Sequence, residues 1–293
     1  NEGVELGKKL FFDPLLSKNR DVSCASCHLQ SSSFSDSRAL SIGTNGTTTT
    51  FHSMPIFNIA WMNEFFWDGR AKSREDQALQ PVNNPLEMDL GWIEAVKRLS
   101  TDSEYPRMFK AAFGTSVIDS NLAAQAMVQY EMTLVSSETK FDAWLKGQAS
   151  YTPEEEMGRI IFNSERGDCF HCHGSILATD NSFHNNGLDG DADLKPGLSG
   201  VTNDQSDLGK FKTPTIRNLA FTAPYMHDGR FQTLEQVIDF YSDSVQNNRN
   251  IDVLMKKANS GGLGLSSSEK NSLLAFMLTM TDSSFTRNPV LAP

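Results

Sequence analysis

Two short strings in this chain carry residues whose types and spacing can do redox chemistry. Cys24-Ala25-Ser26-Cys27-His28 and Cys169-Phe170-His171-Cys172-His173 each read Cys-x-x-Cys-His. Two thiols at that spacing can form thioether bonds to the vinyl groups of a haem, and the next His can supply an axial iron ligand. The chain has 4 Cys, and all of them sit in these strings, so none is left for a structural disulfide. A thiol redox pair needs no His after it, and a zinc site built from both strings would leave both His residues without a task. The strings therefore predict two covalently bound haem c groups, held by Cys24, Cys27 and His28 and by Cys169, Cys172 and His173. Haem c is attached outside the cytoplasm, so a periplasmic or otherwise exported protein is expected. The pattern opens at Asn1-Glu2-Gly3 without a signal peptide, and a leader is expected to have been removed or left out.

The elements that must position these strings come next. A chain of 293 residues suffices for two domains. Its 39% hydrophobic content is that of an ordinary globular protein. No apolar run approaches the ~18 residues of a membrane span. A net charge of −10 argues against nucleic acid as a partner and permits steering of a basic redox protein.

The chain also repeats itself. Gly7-Lys8-Lys9-Leu10-Phe11 precedes the first string, and Gly158-Arg159-Ile160-Ile161-Phe162 precedes the second. Asn58-Ile59-Ala60 leads to Trp67-Asp68-Gly69-Arg70 at the same interval that separates Asn218-Leu219-Ala220 from His227-Asp228-Gly229-Arg230. Helices are predicted over 73–79, 233–241 and 120–134. Further starts are expected at Thr152-Pro153-Glu154-Glu155 and at Ser266 with Glu269. Residues 31–50 and 179–210 read as loops over the haems. The expectation is a mainly α fold of two cytochrome c-like haem domains related by duplication, 1–148 and 149–293, joined near 147–152.

In a duplication the differences are informative. Eleven residues past the Arg of Asp-Gly-Arg stand Pro81 in the first half and Tyr241 in the second. Seventeen past it stand Glu87 and Asn247. Pro has no atom that can bind iron, and Tyr has one. The first haem is thus expected to be open beside a carboxylate, and the second closed.

Longer strings extend the picture: Leu10-Phe11-Phe12-Asp13, Phe66-Trp67-Asp68-Gly69-Arg70, Asn84-Pro85-Leu86-Glu87-Met88, Thr213-Pro214-Thr215-Ile216-Arg217-Asn218 and Pro224-Tyr225-Met226-His227-Asp228-Gly229. With both haem strings, they make the chain resemble the di-haem bacterial cytochrome c peroxidase / MauG family over nearly its whole length. The resemblance implies that hydrogen peroxide reacts at the N-terminal haem while the C-terminal haem handles electrons.

It also implies roles, residue by residue. Glu87 matches the distal glutamate that moves a proton between the peroxide oxygens, giving water and a ferryl iron. Gln77 and Pro81 match residues that line that pocket. Trp67 matches the tryptophan between the haems. Tyr241 matches the sixth ligand of the second haem, where the peroxidases usually have Met and the MauG type has Tyr. As an ordinary packed tyrosine it would leave Met226 or Met255 as ligand. His227 is expected to hold a propionate or a haem edge, and His171 and His184 to serve structure. The loop His that closes the first haem in many peroxidases has no counterpart; Thr44 is nearest by count. A calcium ion is implied at Thr222 and Pro224, although the family's Asn ligand is His52 here.

The sequence thus predicts an exported di-haem peroxidase that uses hydrogen peroxide, with electrons from a small cytochrome c or cupredoxin. One alternative draws electrons from Trp or Tyr side chains of a partner protein through a bis-ferryl state, and Tyr241 favours it. Another is a non-enzymatic electron carrier or redox sensor, which Pro81 and Glu87 oppose. A homodimer is compatible with either.

Overall fold

The computed structural model describes residues 1–293. Its chain forms two compact units, neither of them a single run of sequence. The first comprises 1–63, 71–136 and 284–293, and the second 64–70 and 137–283. The sequence halves and these packing units are therefore different divisions of the chain. No helix is long and apolar enough to cross a membrane.

The first unit contains α1 (Glu2–Phe12), α2 (Arg74–Asn83), α3 (Trp92–Thr101), α4 (Tyr105–Phe113) and α5 (Ser120–Glu131). α1 begins where the Asn1 side chain accepts the Val4 N–H at 2.9 Å, with Glu2 and Glu5 near the positive end of the helix dipole. Its buried stripe of Leu6 and Leu10 packs with Tyr105, Phe109, Ala123 and Met127. α5 turns small residues, Ala123, Ala124 and Ala126, inward, which lets two backbones approach. At the crossing stands Gly7, where a Cβ would collide with the Ala126 carbonyl. The 284–293 segment closes this unit: Phe285 packs among Phe34 and Phe57, and Tyr130 Oη donates to the Leu291 carbonyl at 2.7 Å.

The second unit contains α6 (Lys140–Leu145), α7 (Pro153–Phe162), α8 (Phe170–His173), α9 (Ser199–Thr202), α10 (Leu234–Asp243) and α11 (Ser267–Leu278). A two-stranded antiparallel ribbon joins β1 (Phe183–His184) to β2 (Phe211–Lys212). Capping boxes start α7 and α11: Thr152 and Glu155 exchange bonds of 2.6 and 3.2 Å, and Ser266 and Glu269 bonds of 2.8 and 3.3 Å. α7 crosses α11 at Gly158, where a Cβ would collide with the Ser272 carbonyl. The close crossing of the first unit thus recurs in the second, at the glycine that aligns with Gly7. Arg217 and Asp142 form a buried ion pair that ties the 213–218 string to α6.

The helices predicted over 73–79 and 233–241 both run further, to Asn83 and Asp243. The one predicted over 120–134 stops at Glu131 and unwinds into turns. α3, α4 and α6 carry no haem-linked motif and were not anticipated.

Candidate functional site

The two Cys-x-x-Cys-His strings adopt one local design. At the first, a 3-10 turn over Cys24–Ser26 leads to His28, whose Nδ1–H donates to the Phe34 carbonyl at 2.9 Å. At the second, α8 leads to His173, whose Nδ1–H donates to the Ala178 carbonyl at 2.9 Å. Both residues that offer these carbonyls sit at positive φ, +58° for Phe34 and +52° for Ala178. That conformation is costly for residues other than Gly, and here it turns each carbonyl toward its imidazole. A carbonyl can only accept, so the proton is on Nδ1 and the Nε2 lone pair is left for a metal. Burial lowers the pKa of both imidazoles and favours the neutral form that ligates. Burial likewise pushes the Cys24 thiol up, and the Cys169 thiol up to about 12. A His whose Nε2 is left to ligate, beside two half-buried thiols and present twice, fits covalent haem at both strings.

Around the first string the expected residues come from α2 and the turn after it. Gln77 and Pro81 lie four apart on α2 and so share a face. Both are half-buried. Pro81 offers no N–H, so the helix loses one bond and ends at Asn83. In the following turn Asn84 Nδ2 donates to Glu87 Oε1 at 2.6 Å, and the Leu86 N–H donates to Asn84 Oδ1 at 3.0 Å. The loop holding Thr44 presses on this turn: its N–H donates to the Glu87 carbonyl at 2.8 Å. At Gly43 a side chain would collide with the carbonyls of Leu86 and Glu87, so that approach requires glycine. Cys24 packs against the cluster that holds Ala78 and Val82 of α2 and Met88 of this turn, and burial first, with a small contribution from the Glu87 carboxylate, raises the pKa of Cys24 and Cys27.

Around the second string the corresponding helix is α10. Tyr241 is half-buried, and burial pushes its phenol up to about 12. Asn186 Nδ2 donates to its Oη at 2.9 Å, which favours the phenolate. Cys172 and Cys169 act on Tyr241 through space, as Glu87 does on the first pair. Met226 and Met255 pack in the same apolar cluster as Tyr241, with Leu188 and Phe240.

Trp67 lies in the 64–70 segment, which belongs to the second unit although the chain before it, to 63, and after it, from 71, belongs to the first. It is buried, its carbonyl accepts the Lys212 N–H at 2.8 Å, and its ring meets His227 edge-on at 6.4 Å. His227 stacks flat on Phe211, with centroids 3.7 Å apart, and burial lowers its pKa to about 4. His171 lies in a surface cluster with Asp168 at 3.1 Å and Lys256 at 3.1 Å. His52 is buried in its own loop, with Nε2 3.2 Å from Ser35 Oγ and Nδ1 donating to the Arg38 carbonyl at 3.1 Å. Thr222 and Pro224 lie in the second unit and His52 in the first.

Sequence reasoning gave His184 a general structural role and missed its partners. Its Nδ1 lies 2.7 Å from Asp252 and its Nε2 2.8 Å from Asp180. The Cys172 thiol first, then the two carboxylates, pull its pKa up to about 10 against burial. Asp180 stands four residues before His184, a spacing that could have been noticed; Asp252 is far along the chain. Buried Lys212 and Glu131 were also missed.

Known proteins resemble this chain in sequence and in fold. The profile of the di-haem cytochrome c peroxidase family matches residues 1–150. The methylamine utilization protein MauG of Methylorubrum extorquens is 36% identical over 281 residues, covering 95% of this chain and 78% of that one. The cytochrome c551 peroxidase of Nitrosomonas europaea is 33% identical, covering 99% of this chain and 83% of that one. Among solved structures, a MauG-like protein associated with microbial copper homeostasis superposes with a TM-score of 0.90 at 33% identity, covering 100% of this chain and 93% of the other.

Proposed function

Because the chain belongs to the di-haem cytochrome c peroxidase family, we propose that it is a periplasmic enzyme that cleaves hydrogen peroxide at its first haem and exchanges electrons at its second. The family makes it a peroxide-dependent di-haem oxidoreductase. The observation that carries the finer reading is the asymmetry of the two pockets. Cys24 packs against the cluster that holds Ala78 and Val82 of α2, the helix that carries Pro81 and leads into the turn with Glu87. Cys169 packs against the cluster that holds Leu234 and Ile238 of α10, the helix that carries Tyr241.

Bound haem supplies the iron at which the O–O bond is cleaved and the electron capacity for that cleavage. The chain supplies everything else. His28 would hold the first haem through Nε2, its Nδ1–H fixed on the Phe34 carbonyl. Glu87 takes a proton from the near oxygen of peroxide and returns it to the leaving oxygen, so that water departs. Asn84 steadies that carboxylate by donating to Oε1. Gln77 would donate a hydrogen bond to peroxide, and Pro81, which has no ligating atom, would leave the iron open to it. Trp67 relays electrons between the haems. His173 and Tyr241 hold the second haem, and His227 holds its edge. Calcium at the carbonyls of Thr222 and Pro224 belongs to the same proposal, with His52 contributing no oxygen.

Electrons come from a small cytochrome c or cupredoxin. Tyr241 supports a second reading, in which they come from Trp or Tyr side chains of a partner protein. A phenolate ligand favours higher iron oxidation states and makes a poor electron acceptor. Stoichiometric peroxide added to the diferric protein separates these readings. Turnover only after half-reduction, with fast oxidation of a small cytochrome, supports the first. A long-lived near-infrared band without prior reduction supports the second. An unchanged spectrum, with both haems attached, overturns the enzymatic proposal.

A further inference from the structure

Lys212 is a buried cation that the protein itself does not neutralise. It is 2% exposed. Its Nζ makes one long bond, 3.3 Å, to the carbonyl of its neighbour Thr213, and that carbonyl already accepts Thr179 Oγ1 at 2.8 Å. No carboxylate forms an ion pair with it. The nearest acids, Asp180 and Glu64, act on it only through space. Asp180 is already engaged, accepting the Ser182 N–H at 2.9 Å and facing His184 at 2.8 Å. A cation taken out of water and left unpaired strongly destabilises a fold, so a lysine held here calls for an anion. Burial accordingly pulls the ammonium down to about 8.

The backbone shows where that anion belongs. Lys212 lies on β2 opposite Phe183, and its N–H is spent on the Trp67 carbonyl at 2.8 Å. Its side chain is therefore set by a ribbon rather than by a mobile loop. The carbonyl of its neighbour Thr213 is held by Thr179, the residue after Ala178, and the Ala178 carbonyl accepts His173 Nδ1–H at 2.9 Å. Lys212 thus stands on the segment that braces the loop of the second haem string. Haem c carries two propionate carboxylates, and a buried ammonium beside its attachment site matches one of them in charge and in hydrogen-bonding capacity.

We propose that Lys212 forms an ion pair with a propionate of the second haem, and that this pair raises that haem's reduction potential. The inference rests on the haem reading above and deepens it. A nearby positive charge disfavours the more positive ferric state, so losing it must lower the potential. Because the same residue fixes the Trp67 carbonyl, the pair also anchors a haem edge to the segment carrying Trp67.

The test uses the holoprotein, with haem content fixed by the pyridine haemochrome assay. Lys212→Met keeps the length of the side chain and removes its charge, and Lys212→Arg keeps the charge. Spectroelectrochemical titration reads each haem's midpoint, and resonance Raman reads the propionate bending bands. In Lys212→Met the second haem's midpoint is expected to fall, the first to stay, and one propionate band to move. Lys212→Arg is expected to keep the parent values. An unmoved second midpoint with unmoved bands, both haems present, overturns the inference. Should Lys212→Met yield no holoprotein, Lys212→Gln is read by the same two measurements: a lowered second midpoint supports the ion pair, and unmoved values overturn it. Peroxide turnover is scored separately: a Raman and midpoint response in a protein inert to peroxide sinks the enzymatic reading and leaves this one standing. Absence of a second haem from the parent protein sinks both.

Discussion

Glu87 and Tyr241, proposed for the first and the second haem, have opposite chemistry. A carboxylate can carry a proton between two oxygens, and a phenolate can bind and hold oxidised iron. Replacing Glu87 by Gln keeps the bond to Asn84 through the amide oxygen but removes the proton carrier. The spectral response to peroxide is expected to slow at least ~10²-fold while both haems stay attached; stopped-flow rates equal to the parent's would refute the role. Replacing Tyr241 by Met exchanges an anionic oxygen for a neutral thioether, so the second haem's midpoint should rise. A midpoint that does not move would pass the ligand role to Met226 or Met255, which share the cluster. The sequence singles out both positions because the repeat sets Glu87 against Asn247 and Tyr241 against Pro81. His184 and Lys212 are not marked in this way. Their partners, Asp252 for one and the Trp67 carbonyl for the other, lie far along the chain, and no local pattern announces them.

Each unit depends on a helix pair that closes over one glycine. Gly7 lets α1 meet the α5 backbone at Ala126, and Gly158 lets α7 meet α11 at Ser272. The repeat marked both glycines as corresponding, but their function becomes visible only with the facing carbonyl in place. Gly158→Ala should destabilise the protein by about 2 kcal/mol, because the displaced backbone outweighs the roughly 1 kcal/mol that alanine contributes to a helix. Urea titration of the holoprotein checks this, and a stabilised variant would show that the crossing is loose. The starts of α7 and α11 were readable because a capping box is a four-residue signal. The end of α5 was not, because apolar residues continue past Glu131 while the hydrogen bonding changes to turns.

At the scale of the molecule, a mainly α protein with two haem strings was evident from residue types and spacing. The grouping of 64–70 with the second unit, and of 284–293 with the first, was not. Compactness depends on which segments touch, and a linear pattern does not encode it. The same whole-molecule view exposes a liability in Glu131. It is 5% exposed at the end of α5, and its Oε2 has no hydrogen-bond partner. Burial, with a smaller repulsion from Glu75 on α2, pushes its carboxyl up to about 8 from an ordinary 4.5. Below 4.5 the folded and unfolded chains both hold the proton, and stability is unaffected. Between 4.5 and 8 the unfolded chain gives up the proton and the folded one keeps it. Folding stability must then fall as pH rises, by ~1.4 kcal/mol per unit for this one group. His227, lowered to about 4 by burial, acts with the opposite sign: unfolded imidazole binds protons more readily, so its stability contribution grows as pH rises toward 6.5. Glu131→Gln isolates the carboxyl from this histidine. At pH 5 the variant's unfolding midpoint should nearly match the parent's, and at pH 8 the variant should be more stable, on the order of 2–4 kcal/mol. A gap between the two proteins that stays constant from pH 5 to 8 would mean that Glu131 is ionised in the folded state, held by a partner that only the haem-loaded protein provides.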